Sequence, residues 1–180
     1  MHFKTREVLK KTKGKRIGLF IDNANWFYPQ KELSWRISFL KLKAFLKSYY
    51  EISLLKIYAG TPLDEKDRKS FNRFCQVIEK AGFILETKPL KKIWLDHEKK
   101  KFVYKCNFDV EIALDVARQI DKLDLIIIGS GDSDFIEIKR FSSEHKKGFL
   151  ALCFEKGVAW EIRKGYHLFL EDLRDLIKQK

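Results

Sequence analysis

Four aspartates carry the first chemistry this sequence suggests. Asp22 directly follows the apolar run Ile17-Gly18-Leu19-Phe20-Ile21, and Asp132 and Asp134 follow Leu125-Ile126-Ile127-Ile128 through the turn Gly129-Ser130-Gly131. Asp109 stands at the start of a segment with helical character. Short, continuous apolar runs ended by turn residues have the pattern of buried parallel strands. In a parallel sheet, loops and helix N-termini gather beyond the carboxyl ends of the strands, so three connections far apart in sequence place these four carboxylates on one rim. Crowded carboxylates repel and raise one another's pKa unless a cation neutralises them. A site of carboxylates and water, without thiolate or imidazole, suits a hard cation such as Mg²⁺ or Mn²⁺. Such ions orient a water and stabilise in-line displacement at phosphorus, which makes phosphodiester hydrolysis the natural reaction.

Each acid also has a plainer reading. A single Asp after a strand commonly caps a turn, and acids favour the first turn of a helix, which is how Asp109 alone would be read. Asp132 and Asp134 weigh more because Gly129 and Gly131 let the backbone approach closely. Asp115 lies six residues beyond Asp109, which turns its side chain roughly 120° away, so it is expected to have a supporting or structural role. Other chemistries fail on spacing. Gly129-Ser130-Gly131-Asp132 lacks the third glycine of a dinucleotide fingerprint and the Gly-Lys-Ser/Thr of a phosphate loop, and Ser130 does not sit in a Gly-x-Ser-x-Gly elbow. His2, His97, His145 and His167 form no zinc spacing, and Cys75, Cys106 and Cys153 read as reduced core thiols.

The elements that must position the acids follow from periodicity. A polar, basic stretch from Met1 reads as an arm over residues 1–14, ahead of one domain over 15–180. Strands are expected at Ile17–Ile21, Ile52–Tyr58, Phe83–Thr87, Leu123–Gly129 and Phe149–Phe154. Helices are expected from Ser34 through Tyr49, around Phe71–Ile78 up to Gly82, at Asp109–Ile120, and from Ser133 to Phe141. Between Lys88 and Lys105 the chain reads as a basic hairpin, Ile93–Leu95 and Lys101–Lys105, joined by a charged turn. The repeated strand-helix order implies an α/β fold, a mainly parallel central sheet covered on both faces.

Composition supports one globular unit. The 180 residues are 45% hydrophobic and 34% charged, with only nine Gly and three Pro, which excludes collagen-like, low-complexity and disordered classes. No apolar run reaches the ~20 residues needed to cross a bilayer, and the start has no apolar stretch resembling a signal peptide, so a cytoplasmic protein without a membrane partner is expected. The net charge of +12 argues for a polyanionic partner. It is concentrated: Met1 to Arg16 holds seven Lys/Arg against Glu7, and Lys88 to Lys105 holds seven Lys against two acids.

Three segments together carry a resemblance: Ile17-Gly-Leu-Phe-Ile-Asp22-Asn23-Ala24-Asn25, Lys105-Cys-Asn-Phe-Asp109-Val110, and Ser130-Gly131-Asp132-Ser133-Asp134-Phe135. From about Lys15 to Leu176 the chain resembles the NYN domain of the LabA-like group, within the PIN-like nuclease superfamily. The resemblance implies a Rossmann-like three-layer α-β-α sandwich and a Mg²⁺- or Mn²⁺-dependent endoribonuclease. It implies that Asp22, Asp109, Asp132 and Asp134 form the catalytic metal site, and that Asn25 orients substrate or a metal-bound water. Lys105 matches a lysine the family often has before its helix Asp, while Ser130 and Ser133 would bond phosphate or brace the carboxylates. Tyr166-His167-Leu168-Phe169 departs from the family's Ala-Asp-x-Phe, and the hairpin is longer than the minimal domain.

That hairpin, with Trp94, Lys99 and Lys100, reads either as a clamp on single-stranded RNA or as a solvated element with Trp94 packed on the sheet. Trp26, Phe27 and Tyr28 either border a substrate groove or staple the next helix. Competing functions are a non-catalytic RNA-binding adaptor, a DNA nuclease, and a phosphatase, the last disfavoured because Asp22-Asn23-Ala24 lacks a second Asp. A homo-oligomer or a targeting partner is compatible with the sequence, which identifies neither.

Overall fold

The computed structural model describes residues 2–96, 99, 101–165 and 167–179. Six parallel strands form the central sheet: β1 (Arg16–Asp22), β2 (Glu51–Thr61), β3 (Ile84–Pro89), β6 (Leu125–Gly129), β7 (Gly148–Cys153) and β8 (His167–Phe169), in the spatial order β3-β2-β1-β6-β7-β8. Strands β4 (Lys91–Asp96) and β5 (Lys101–Lys105) pair antiparallel as a separate two-stranded hairpin between β3 and the following helix. The chain runs outward from β1 to β3, returns to pair β6 on the other side of β1, and runs outward again. This reversal makes the β1/β6 pair the topological switch point of the sheet.

The pleat sorts the strand residues into two layers. Ile17, Leu19 and Ile21 of β1, with Leu125 and Ile127 of β6, face one layer. Its helices are α1 (Phe3–Thr12), α2 (Asn23–Glu32), α3 (Phe39–Tyr49), α4 (Glu65–Lys80) and the short α8 (Arg174–Ile177). Phe20, Ile126 and Ile128 face the opposite layer, which receives α5 (Asp109–Gln119), α6 (Ile136–Glu144) and the single-turn α7 (Trp160–Arg163). The α/β sandwich with an inserted hairpin is therefore present as expected.

Two local readings change and one helix is added. The basic arm is a docked helix: Thr5, Leu9 and Thr12 of α1 are buried, at spacings of four and three that form one face. Thr5 donates to Asp172, and the Thr12 and Tyr50 hydroxyls share a 2.8 Å hydrogen bond. The lysines of α1 occupy the outer face, which is why the segment reads as uniformly polar along the chain. The helix expected from Ser34 starts at Phe39 and is capped by Ser38, whose hydroxyl accepts from the Lys41 N–H at 3.4 Å. Ser34 instead takes a left-handed φ of 54°, and Ile37 bridges Lys178 antiparallel. The segment before it, 23–32, is the helix α2, which periodicity misses because Trp26, Phe27 and Tyr28 are consecutive and only Trp26 is buried.

Candidate functional site

Because Phe20 faces the α5/α6 layer, the pleat sends Asp22, two residues on, to the same side. There it caps α2: one carboxylate oxygen accepts from the Ala24 N–H at 3.1 Å and the other from the Asn25 amide at 2.8 Å. Asn25, expected to orient substrate or water, thus braces Asp22 within the chain itself. Across the switch point, β6 ends in Gly129, and Ser130 is almost fully buried. Its hydroxyl accepts from the Asp132 N–H at 3.1 Å, and Asp132 in turn accepts from the Asp134 N–H at 3.1 Å, starting a 3₁₀ turn over Ser133–Phe135. Ser130 is therefore a brace for the loop, while Asp132 and Asp134 are exposed and Ser133 is half-buried. Asp109 opens α5, with its N–H donating to the Asn107 amide oxygen at 2.7 Å.

The three connections share one electrostatic neighbourhood. Burial pushes the Asp22 carboxyl above the ordinary range, bonds from Asn25 and Ala24 oppose this, and the charges of Asp109 and Asp132 add to the rise. Burial likewise raises Asp109, Asn107 opposes it, and Asp134, Asp132 and Glu111 add to it. The acids nearby in sequence are matched by cations: Lys56 and Arg118 pair with Asp115, and Lys88 pairs with Glu111. None of Asp22, Asp109, Asp132 and Asp134 makes an ion pair among the described residues. The donor set is chemically right for a hard cation. Yet among the described residues no group of three or more His, Cys, Asp or Glu is arranged to hold a metal ion.

Asp115 has the structural role expected of it. Besides Lys56 and Arg118, it accepts a 2.7 Å hydrogen bond from the Tyr58 hydroxyl, locking α5 to β2. Lys88, which sequence reasoning treated only as the start of the hairpin, holds the other end of α5. Its ammonium pairs with Glu111 and lies 4.5 Å from the Phe108 ring centroid, so the hairpin base and the Asp109 segment are fixed together. The signal available was the order Lys88-Pro89 at a strand end, which does not reveal a partner 23 residues away.

The hairpin carries its aromatic residues on one face. Trp94 pairs with Phe102 in the ladder, with ring centroids 5.4 Å apart, and Phe102 meets Tyr104 at the same separation. The Lys92 ammonium lies 4.2 Å from the Trp94 centroid and 3.9 Å from that of Phe102. Trp94 is 41% exposed and packs edge-on against Phe102 within the hairpin. Lys99 is 81% exposed and lies 3.8 Å from Asp96; Lys100 falls outside the described residues. Lys105 ends β5, exposed, four residues before Asp109. Of the aromatic trio after Asp22, Trp26 is fully buried and donates its indole N–H to the Leu152 carbonyl at 3.2 Å, whereas Phe27 and Tyr28 remain exposed.

The architecture is a doubly wound α/β domain, with Asp22 and Asp132 where the chain leaves the two strands of its switch point. The chain belongs to the NYN domain family, whose model matches residues 16–171, and with it to the PIN-like nuclease superfamily. It is 27% identical over 170 residues to the Low amplitude and bright protein LabA of Synechococcus elongatus, covering 91% of this chain and 88% of that protein. A crystal structure of a protein of unknown function from Vibrio parahaemolyticus shares the fold, with a TM-score of 0.69 at 20% identity over 93% of this chain and 98% of the other. No described helix is long and apolar enough to cross a membrane.

Proposed function

We propose that the chain is a metal-dependent endoribonuclease that hydrolyses phosphodiester bonds of single-stranded RNA at the β1/β6 switch point. This reading is supported by four carboxylates, brought by three connections to the carboxyl end of the sheet, that make no ion pair among the described residues while Asp115 and Glu111 beside them are paired, in a chain of net charge +12. Asp22, Asp109, Asp132 and Asp134 would hold Mg²⁺ or Mn²⁺, which supplies charge neutralisation and an activated water. Asn25 keeps the Asp22 carboxylate oriented and Ser130 fixes the loop that carries Asp132 and Asp134, while Lys105 and Ser133 would meet phosphate oxygens. The hairpin, through Trp94, Lys99 and Lys100, would hold the strand by stacking and charge.

The test is cleavage of labelled single-stranded RNA, structured RNA and DNA with Mg²⁺, Mn²⁺ or EDTA, beside Asp22→Asn and Asp132→Asn. Cleavage of RNA that EDTA abolishes and that each variant lowers by about a hundredfold or more supports the reading. Equal cleavage by the variants overturns the site. A second reading, a non-catalytic RNA-binding adaptor, draws on the absence of a ready three-ligand metal group among the described residues. It predicts RNA binding with no cleavage under any metal.

A further inference from the structure

We propose that the cleft between α6 and α7, entered across the Trp160 ring, is a second contact surface for single-stranded nucleic acid, on the far side of the acidic rim from the hairpin. The proposal rests on the reading of the chain as an RNA-handling protein but names residues that neither the motifs nor the family match points to. Trp160 opens α7 and is 60% exposed, a large apolar ring with little packing of its own. Its position is fixed to the acidic loop. The N–H of Ala159, the preceding residue, donates to the Gly131 carbonyl at 2.8 Å, and a Cβ built on Gly131 would come within 3.1 Å of the Val158 Cα. Trp160 therefore follows directly on the segment that packs against Gly131-Asp132, on the β7 side, while the hairpin departs from the β2 and β3 side.

Charge continues the surface. The Lys164 ammonium lies 3.9 Å from the Trp160 ring centroid, and Lys164 also lines a cleft of about 490 Å³ together with Lys139, Ser143, Lys147 and Phe149. Among the described residues no acidic side chain lines this cleft, and none of its three lysines makes an ion pair with a described acid. The cleft starts at Lys147 and Gly148, where β7 begins, and is joined to the Trp160 ring through Lys164. An aromatic face beside ammonium groups is what an unpaired strand uses: bases stack on the ring and phosphates meet the lysines. The same pairing of a lysine with exposed rings recurs at Lys92, Trp94 and Phe102 of the hairpin. The link to the acids is Trp160, which the Ala159–Gly131 bond ties to the acidic loop, so a strand that bound both the hairpin and this surface would pass that loop.

Binding measured in EDTA separates this surface from catalysis. A fluorescently labelled single strand of about twenty nucleotides is titrated into the full chain, Trp160→Ala, Lys139→Glu/Lys147→Glu, and Lys92→Ala as the hairpin comparator. Trp160→Ala is expected to weaken binding at least about fivefold, the lower bound for losing one stacked base. The double variant is expected to flatten the slope of log K against log salt by about 1.4, for two lost single-strand phosphate contacts. Lys139→Gln/Lys147→Gln repeats the test without charge reversal, and thermal melting checks that each variant folds. In a Trp94→Phe chain the remaining exposed tryptophan is Trp160, since Trp26 and Trp35 are buried, and RNA should quench its fluorescence. Wild-type binding by the Trp160 and lysine variants, or unquenched Trp160 fluorescence with RNA bound, overturns the proposal while leaving the hairpin and the acidic site untouched. Failure of the wild-type chain to bind any strand removes both this surface and the reading beneath it. Binding without cleavage in Mg²⁺ or Mn²⁺ refutes the nuclease and leaves the cleft standing.

Discussion

Replacing Gly129 with alanine is expected to damage both stability and the proposed reaction, because Gly129 ends β6 directly against β1, and these two strands define the switch point. Gly129 pairs with Ile21 in the parallel ladder, and a Cβ built on it would lie 2.9 Å from the Ile21 Cα and 3.0 Å from Trp26 Cζ2. Carbon atoms pack best at ~3.5–4.0 Å, so something must retreat by roughly 0.5–1 Å. The Trp26 ring is fully buried and tied to Leu152 by its indole N–H, and the other obstacles are the Ile21 backbone and the fully buried Ile21 side chain, whose Cγ1 would lie 2.9 Å away, so none gives way cheaply. Overpacking of this kind costs about 1–3 kcal/mol. For a chain of this size a 2 kcal/mol loss lowers the melting midpoint by about 4–8 °C. Asp22 follows Ile21 and Ser130 follows Gly129, so the displacement moves the acids of β1 and β6 relative to each other. A misplacement approaching 1 Å is worth up to about a hundredfold in rate. Urea denaturation with an unchanged m-value, together with RNA cleavage assayed well below the midpoint, measures the two effects. Gly157→Ala is the comparator: nothing lies within 4 Å of its built Cβ, and only its φ of 76° resists substitution. Stability within 0.5 kcal/mol of wild type for Gly129→Ala, with unchanged cleavage, would refute the argument that this contact sets the geometry of the rim.

Leu9→Ala tests the docked first helix: with 1% exposure in the main core it should lose about 2–5 kcal/mol in urea unfolding, where a free arm would lose nothing. Asp115→Ala leaves the Tyr58 hydroxyl, in a fully buried residue, without its acceptor and Lys56 with Glu86 alone, so a loss of about 2–3 kcal/mol is expected by the same measurement, and under 1 kcal/mol would show the network to be dispensable. Asp124 is held at about 2 by side-chain bonds from Arg16, a backbone bond from the same residue and the charges of Arg16 and Lys147. A depressed carboxyl stabilises the fold above its unfolded pKa, so this contribution is full above pH ~4 and is lost as pH falls towards 2. The pair is exposed, at 46% and 40%, so solvent screening keeps its contribution small. Asp124→Asn should therefore lower stability slightly at pH 7, by an amount that shrinks as pH falls from about 4 through about 2, in chemical denaturation at each pH.

The parts of the fold legible in the sequence were those in which one short run carries the whole signal. Leu125-Ile126-Ile127-Ile128 is apolar on both faces because helices cover both, and no solvent-exposed element would tolerate it. The acids after β1 and β6 could be placed on one rim for the same reason, since the ends of parallel strands must coincide. The helix α1 was not legible because a face of Thr5, Leu9 and Thr12 offers a single large apolar side chain, too little to stand out among seven basic residues. Ser34 and Ser38 both precede helix-like spacing, and the choice between them is made by contacts from the chain's other end, where Ile37 bridges Lys178 and the Ser38 N–H donates to the Ile177 carbonyl. The bond between Asn25 and Asp22 gives Asn25 a partner within the chain that spacing does not reveal, and the burial of Ser130 and its bond from the Asp132 N–H fit the bracing alternative of its two expected roles. Trp160 was invisible as a candidate because nothing in its neighbourhood of sequence says that Ala159 reaches back to Gly131.

The two outer strands of the sheet bear on assembly. A second copy of the chain could extend a sheet only by pairing along β3 or β8, and each is built to make a poor template. β8 has three residues, and β3 ends in Lys88-Pro89, where a charged side chain precedes a residue with no N–H to donate. Growth of the sheet stops at both margins, so two copies of this chain would have to meet through helical surfaces, the hairpin, or one bound strand of nucleic acid shared between them.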